Sequence, residues 1–168
     1  MIIKKCIATP LGEMLAGVSE NRLCFLLFSD SRWIESQIQK LLKCIGGNLV
    51  AGEHPLFSLL EVELNNYFEG KQKTFTVPYS YTGTDFQKQV WQSLTRIPYG
   101  QTISYKQQAL AINSPKAVRA VANANSRNPL AIIVPCHRVI GHNGKLTGYA
   151  GGLERKSELL NLEFNRII

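Results

Sequence analysis

Residues 104–124, SYKQQALAINSPKAVRAVANA, decide how the second half of the chain folds. Ser104 to about Ile112 reads as a short helix. The turn Asn113-Ser114-Pro115 then opens another, with Ser114 as N-cap and Pro115 in the first helical position, where its missing N–H is no loss and its φ is already helical. Two short helices across a three-residue turn fit helix-turn-helix geometry. The same corner is also ordinary core architecture. Ala117, Ala120, Ala122 and Ala124 would let the second helix lie close to a groove wall, and Arg119 would project from that smooth surface.

Working outward, Thr84-Asp85 caps a preceding helix that carries Phe86, Val90, Trp91 and Leu94 and ends before Pro98-Tyr99-Gly100. Residues 78–83 read as a linker. Before it the pattern is mixed. Strands are predicted at residues 2–9, Met14–Val18 and Leu23–Phe28 around the turn Pro10-Leu11-Gly12-Glu13. Helices follow over Trp33–Leu42 and Pro55–Phe68, and Phe75-Thr76-Val77 could add a strand. The expected fold class is therefore α/β (α+β). A small structural domain with a β-sheet and helices spans residues 1–81, and a mostly helical domain with the helix-turn-helix spans residues 82–168.

Charge divides along the same line. The net +7 comes from eight Lys+Arg against eight Asp+Glu in residues 1–81 and eleven against four in residues 82–168. The basic half is the one that should meet a polyanion. No apolar run reaches the roughly 18 residues that a membrane span needs, so a cytoplasmic protein without a membrane partner is expected. Cys6, Cys24, Cys44 and Cys136 show no C-x-x-C spacing, and His54, His137 and His142 complete no zinc pattern with them. Neither a metal nor a cofactor is expected, and three of the cysteines read as small buried hydrophobes.

The fourth is different. An apolar run, Leu130–Val134, ends in Pro135-Cys136-His137-Arg138-Val139. A cysteine at the end of a buried segment, beside a histidine and an arginine, sits in electropositive surroundings that favour the thiolate. The pentapeptide alone fits a nucleophile and an inert buried cysteine equally well.

This pentapeptide, with Asn128-Pro129 before it and Gly148-Tyr149-Ala150-Gly151-Gly152-Leu153 after it, resembles the O6-alkylguanine-DNA alkyltransferases. Similarity runs on through Ile97-Pro98-Tyr99-Gly100, Ser104-Tyr105 and Pro115–Val121 to the last helix, over some eighty residues; the first half matches loosely, around Pro10-Leu11-Gly12. The resemblance implies a monomeric repair protein that flips O6-alkylguanine, chiefly O6-methylguanine with O4-methylthymine as a further candidate, out of duplex DNA. The alkyl group passes to Cys136 in one irreversible turnover.

Residue by residue, the resemblance makes Cys136 the acceptor, His137 the base acting through a water, and Glu163 the acid that orients and charges that histidine. It makes Tyr105 the proton donor to the leaving guanine, Asn128 the brace of the cysteine turn, and Lys156 the electrostatic support of the thiolate. It assigns Arg119, Ala120, Ser104, Tyr105 and Lys116 to DNA contact through the minor groove, with Arg119 filling the space that the flipped base leaves. Val139, Tyr149, Ala150, Gly151 and Asn125 would line the base pocket. Independently, Leu153, Lys156, Leu160 and Glu163 follow helical spacing, so Glu163 can turn inward with the leucines.

Three other classes fit less well. A non-reactive binder of alkylated guanine would lack the cysteine. A sequence-reading regulator needs polar side chains on its second helix where this one has alanines. A cysteine peptidase would not explain Arg119 or the basic half.

Overall fold

A computed structural model describes residues 1–165; the last three residues of the expected second domain lie outside the described part. The chain forms two compact units. One comprises Met1–Thr82 together with Pro129–Ala131, and the other comprises Gly83–Asn128 with the chain from Ile132 onward.

In the first unit β1 (Ile2–Thr9), β2 (Gly12–Ser19) and β3 (Arg22–Phe28) form an antiparallel meander, and β4 (Leu49–Ala51) adds parallel to β1, giving the order β3-β2-β1-β4. The three strands expected at residues 2–9, Met14–Val18 and Leu23–Phe28 are present. β4 was not foreseen, because three residues after a Gly-Gly pair carry no readable alternation. The pairing of β2 with β3 shifts register between Gly17 and Val18. A Cβ at Gly17 would run into the buried Phe25 ring, which favours glycine there.

Helix α1 (Ile34–Ile45) lays Ile38 and Leu41 over Ile2, Cys24, Phe25 and Leu27. Helix α2 (Pro55–Phe68) starts with Pro55 in its first turn and buries Phe57, Leu60, Leu64 and Tyr67. Past Phe28 the expected strand at Phe75–Val77 does not form. The N–H groups of Thr76 and Val77 are taken by the buried Glu63 carboxylate on α2, which removes them from any ladder. The open edge of β3 is met instead by single bridges to Tyr79 and Leu130.

In the second unit α3 (Asp85–Leu94) begins with a complete capping box between Thr84 and Gln87 and buries Val90, Trp91 and Leu94. Ser104 and Gln107 repeat that device for α4 (Tyr105–Ala111). Helix α5 (Val118–Ser126) starts three residues later than Ser114-Pro115 predicted. Ser114–Ala117 closes a turn of its own, with the Ala117 N–H donating to the Ser114 carbonyl, so six residues join the helices rather than three. Trp91 Nε1 donates to the Ala124 carbonyl at 2.8 Å and ties α3 to α5. Strands β5 (Ile103–Ser104) and β6 (Val139–Ile140) pair in parallel, and α6 (Leu153–Asn165) completes the unit. Among the described residues no helix is long and apolar enough to cross a membrane.

Candidate active site

The chain enters the site through strain. Ile132 is buried and β-branched yet has φ 71°, a left-handed conformation that costs such residues of order 1–3 kcal/mol. Four residues later Cys136 opens a single 3-10 turn, Cys136–Arg138. Pro135, at φ −84° and ψ 66°, is the centre of an inverse γ-turn in which the Cys136 N–H donates to the Val134 carbonyl at 2.9 Å. Asn128 Nδ2 donates to that same carbonyl at 2.7 Å, and its side chain also hydrogen-bonds Cys136.

The electropositive setting expected for Cys136 does not decide its charge. Burial pushes the thiol up, and the Asn128 hydrogen bond and the Lys156 charge offset this only in part. The sulfur thus rests as a thiol and needs a base.

His137 is fully buried, and its Nε2 lies 2.6 Å from Glu163 Oε2. Burial lowers the imidazole pKa, helped by the Arg138 and Lys156 charges and opposed by Glu163. With the ring neutral and Glu163 ionised, Nε2 carries the hydrogen and Nδ1 keeps a lone pair. Nδ1 is itself buried and has no hydrogen-bond partner in the protein. Burial acts to raise the Glu163 carboxyl, but the hydrogen bonds and charges of His137 and Arg138 outweigh it and hold it at about 2.

Helix α6 brings Glu163 inward on one face with Lys156, Leu159 and Leu160; Leu153, expected on that face, is 47% exposed. Lys156 is fully buried, and its Nζ donates to the Thr147 carbonyl at 2.8 Å, the Gly148 carbonyl at 3.3 Å and the Tyr105 hydroxyl at 3.4 Å. Desolvation drops its pKa to about 8. Tyr105, whose hydroxyl pKa burial raises, donates to the Thr147 carbonyl at 2.8 Å. Two side chains thereby hold the loop that carries Tyr149, Ala150 and Gly151. Gly148 in that loop has φ 52°, and a Cβ there would meet the Tyr105 hydroxyl at 3.9 Å. The Tyr149 hydroxyl is buried without a partner in the protein.

Val139 is buried in β6, directly after the cysteine turn. Asn125, expected in the base pocket, pairs its side-chain amide with that of Gln108. Its Nδ2 donates to Gln108 Oε1 at 2.7 Å and its Oδ1 accepts from Gln108 Nε2 at 3.0 Å, which joins α5 to α4. On the opposite side of α5, Arg119 and Ala120 are exposed, as is Lys116 in the turn before it, and the Ser104 hydroxyl caps α4.

Two sequence profiles match this chain: the DNA binding domain of 6-O-methylguanine DNA methyltransferase over residues 85–165, and the ribonuclease-like domain of the same protein over residues 2–81. The constitutive methylated-DNA--protein-cysteine methyltransferase of Bacillus subtilis is 48% identical, covering 92% of this chain and 91% of its own. That of Methanosarcina mazei is 59% identical, covering 96% of each. The chain belongs to the 6-O-methylguanine DNA methyltransferase family.

Its fold is that of the family as well. The crystal structure of Mycobacterium tuberculosis OGT in complex with DNA superposes with a TM-score of 0.85 at 41% identity, covering 98% of this chain and 94% of that one. Within this family member, sequence reasoning missed several residues of the site. Arg138 Nε donates to Glu163 Oε1 at 2.7 Å and Nη1 to the Ile97 carbonyl at 2.7 Å, while the guanidinium lies over the Tyr99 ring at 5.6 Å. The Gly100 N–H reaches Glu163 Oε1 at 3.5 Å. The adjacency of Arg138 to His137 was a usable signal; the return of Ile97–Gly100 onto Glu163, 63 residues on, had none.

Proposed function

We propose that this protein repairs DNA directly by transferring the alkyl group of O6-alkylguanine, chiefly O6-methylguanine, to Cys136 in a single turnover. One observation carries the reading: a buried Cys136 is followed by His137, whose Nε2 is held by Glu163 and whose Nδ1 is left to accept a proton. Both lie in the segment that matches the family's DNA binding domain.

The chemistry follows from the atoms. His137 Nδ1 takes the thiol proton through a water, and Glu163 stabilises the imidazolium that forms. The thiolate attacks the alkyl carbon, the C–S bond forms, and the C–O6 bond breaks with its electron pair on guanine. Tyr105, assisted by Lys156, supplies a proton to the leaving base. The thioether has no leaving group that water can displace at a useful rate, so each molecule acts once.

A guanine in a duplex must leave the stack, at a cost of a few kcal/mol. In this reading Arg119 occupies the vacated space while Ala120 and its neighbours approach the minor groove, with Lys116 and Ser104 on phosphates. Tyr149, Ala150, Gly151 and Val139 border the flipped base. O4-methylthymine presents the same methyl ether and is a second candidate. The first 81 residues act structurally and residues 82–168 carry binding and chemistry. The protein works in the cytoplasm as a monomer without metal or cofactor.

Intact mass spectrometry after mixing with a duplex containing O6-methylguanine tests this. The mass should rise by one methylene unit, as S–H becomes S–CH3, with the change on Cys136 and product equal to protein consumed. Repeated turnover, or methylation of Cys6, Cys24 or Cys44 instead, would sink it.

A further inference from the structure

Glu163 serves two cations at once. Its Oε2 meets His137 Nε2 at 2.6 Å and Arg138 Nη2 at 3.2 Å, and its Oε1 meets Arg138 Nε at 2.7 Å. Arg138 is itself fixed on a third side by the Ile97 carbonyl and lies over the Tyr99 ring. We propose that Arg138 is a positioning residue for the alkyl transfer: it clamps the Glu163 carboxylate so that Oε2 faces His137 Nε2, which places the ring hydrogen there and leaves Nδ1 as the base. The inference rests on the alkyl-transfer reading above.

Two physical effects combine. The first is geometric. A carboxylate on a helical glutamate can rotate, and its affinity for a single imidazole N–H fixes one bond. The two parallel N–H donors of a guanidinium fix the carboxylate plane, something that an ammonium cannot do.

The second is electrostatic. A buried glutamate alone beside a histidine stabilises the imidazolium, which would already carry a proton on Nδ1 and could not act as a base. Arg138 supplies a counter-charge that offsets part of the Glu163 pull, so that together with burial it keeps the ring uncharged until it receives the thiol proton. The other groups around this cluster act with it or weakly. Lys156 on α6 also disfavours the imidazolium, and Cys136 rests as a neutral thiol. Tyr149, in the loop before α6, is held uncharged by burial, and Tyr99, after α3, meets Arg138 through its ring.

The test compares Arg138→Met and Arg138→Lys by the ring-nitrogen NMR signals of His137 and by the pH dependence of single-turnover methyl transfer. In the native protein His137 should show the neutral form protonated on Nε2 through neutral pH. In Arg138→Met the imidazolium should persist to higher pH. The rising limb of the rate profile should move the same way, and the rate at neutral pH should drop about tenfold or more while affinity for lesion-free DNA stays unchanged. Arg138→Lys should return the limb towards its native position yet leave the rate low at every pH, since charge is restored and the fork is not. If Arg138→Met lowers only stability, with the tautomer and the pH profile of the folded protein unchanged, Arg138 is merely structural and the proposal falls. Should Arg138→Met fail to fold, a native rate and tautomer in Arg138→Lys would overturn it equally. A native protein that took up no methyl group would instead defeat the alkyl-transfer reading, and the NMR comparison would still decide the clamp.

Discussion

Glu63 and Glu163 are both buried carboxylates on helices, one in each compact unit, and their partners differ in kind. Glu63 accepts from the Thr76 N–H at 2.9 Å, the Val77 N–H at 2.8 Å, the Thr76 hydroxyl at 3.2 Å and the Gln72 side chain. All are neutral donors with no proton to give up near neutral pH, so the carboxylate serves to hold the loop that carries Thr76 and Val77. Glu163 accepts from a histidine, which can take up and release a proton, and from an arginine, which stays charged. Burial of a carboxylate thus marks an investment of desolvation energy, and only the partner's ability to exchange a proton separates chemistry from architecture.

The largest effect that could break this contrast is kinetic. Glu163→Gln should slow methyl transfer about 100-fold, the usual range for losing support of a general base, while lesion-free DNA binds as before. Glu63→Gln should leave the rate of the folded protein unchanged. It should instead lower unfolding stability by about 1–3 kcal/mol, because an amide N–H2 would then face backbone N–H donors. Single-turnover rates and urea unfolding on both variants decide it. Loss of rate in Glu63→Gln without loss of stability would erase the distinction.

Acid sensitivity should follow Glu163 and His137. Glu163 is held at about 2, below its ordinary 4.5, so the stability it contributes is complete above about 4.5 and is lost as the pH falls towards 2. His137 is lowered from 6.5; the unfolded chain protonates first, and stability falls as the pH drops below that value. Unfolding midpoints measured between pH 7 and pH 3 should therefore decline, and less steeply in Glu163→Gln. An unchanged slope would mean that the carboxylate is not the source.

How far the sequence reveals this pair of sites depends on range. Helix α3 and the start of α4 were legible because a capping residue and apolar spacing are local signals. The β-meander was legible through its turns. The cysteine, the histidine and the face of α6 could be found by spacing and by resemblance. The Glu63 latch was not legible, because a glutamate on α2 replaces strand pairing 13 residues away, and the period-2 pattern at Phe75–Val77 is silent about that competitor. The start of α5 was misplaced because Ser114-Pro115 suits a β-turn as well as a helix start. Arg138 was visible as a charge, but its three-way anchoring depends on contacts 25 and 41 residues away.

A smaller effect concerns the exposed face of α5 against the buried site. Arg119→Ala should slow repair of duplex DNA about tenfold, a fraction of the flipping cost, and leave transfer from free O6-benzylguanine nearly unchanged if the pocket admits it. Arg119→Lys should recover part of the loss, since charge returns without the planar group. Equal slowing on both substrates would place Arg119 in the pocket or the fold.

The smallest effect probes the neutral counterpart of the Glu163 cluster inside the same unit. Gln108 and Asn125 exchange two hydrogen bonds, and Gln108 Nε2 also reaches Ser93 Oγ at 3.1 Å, so α4 and α5 are joined by amides that carry no charge and do not titrate near neutral pH. Like Glu63, they should be architectural, in contrast to the pocket role expected for Asn125. Asn125→Ala leaves the Gln108 amide buried with fewer partners, and Gln108→Ala does the reverse. Each single substitution therefore includes the penalty of an orphaned group, which the double variant does not suffer. The double variant should consequently lose less stability than the sum of the singles, by about 1 kcal/mol. The ratio of transfer rates for methyl and benzyl adducts should not change in any of the three. A shift in that ratio with additive stabilities would show that Asn125 touches the base after all, and that a neutral, proton-silent pair can serve this site directly.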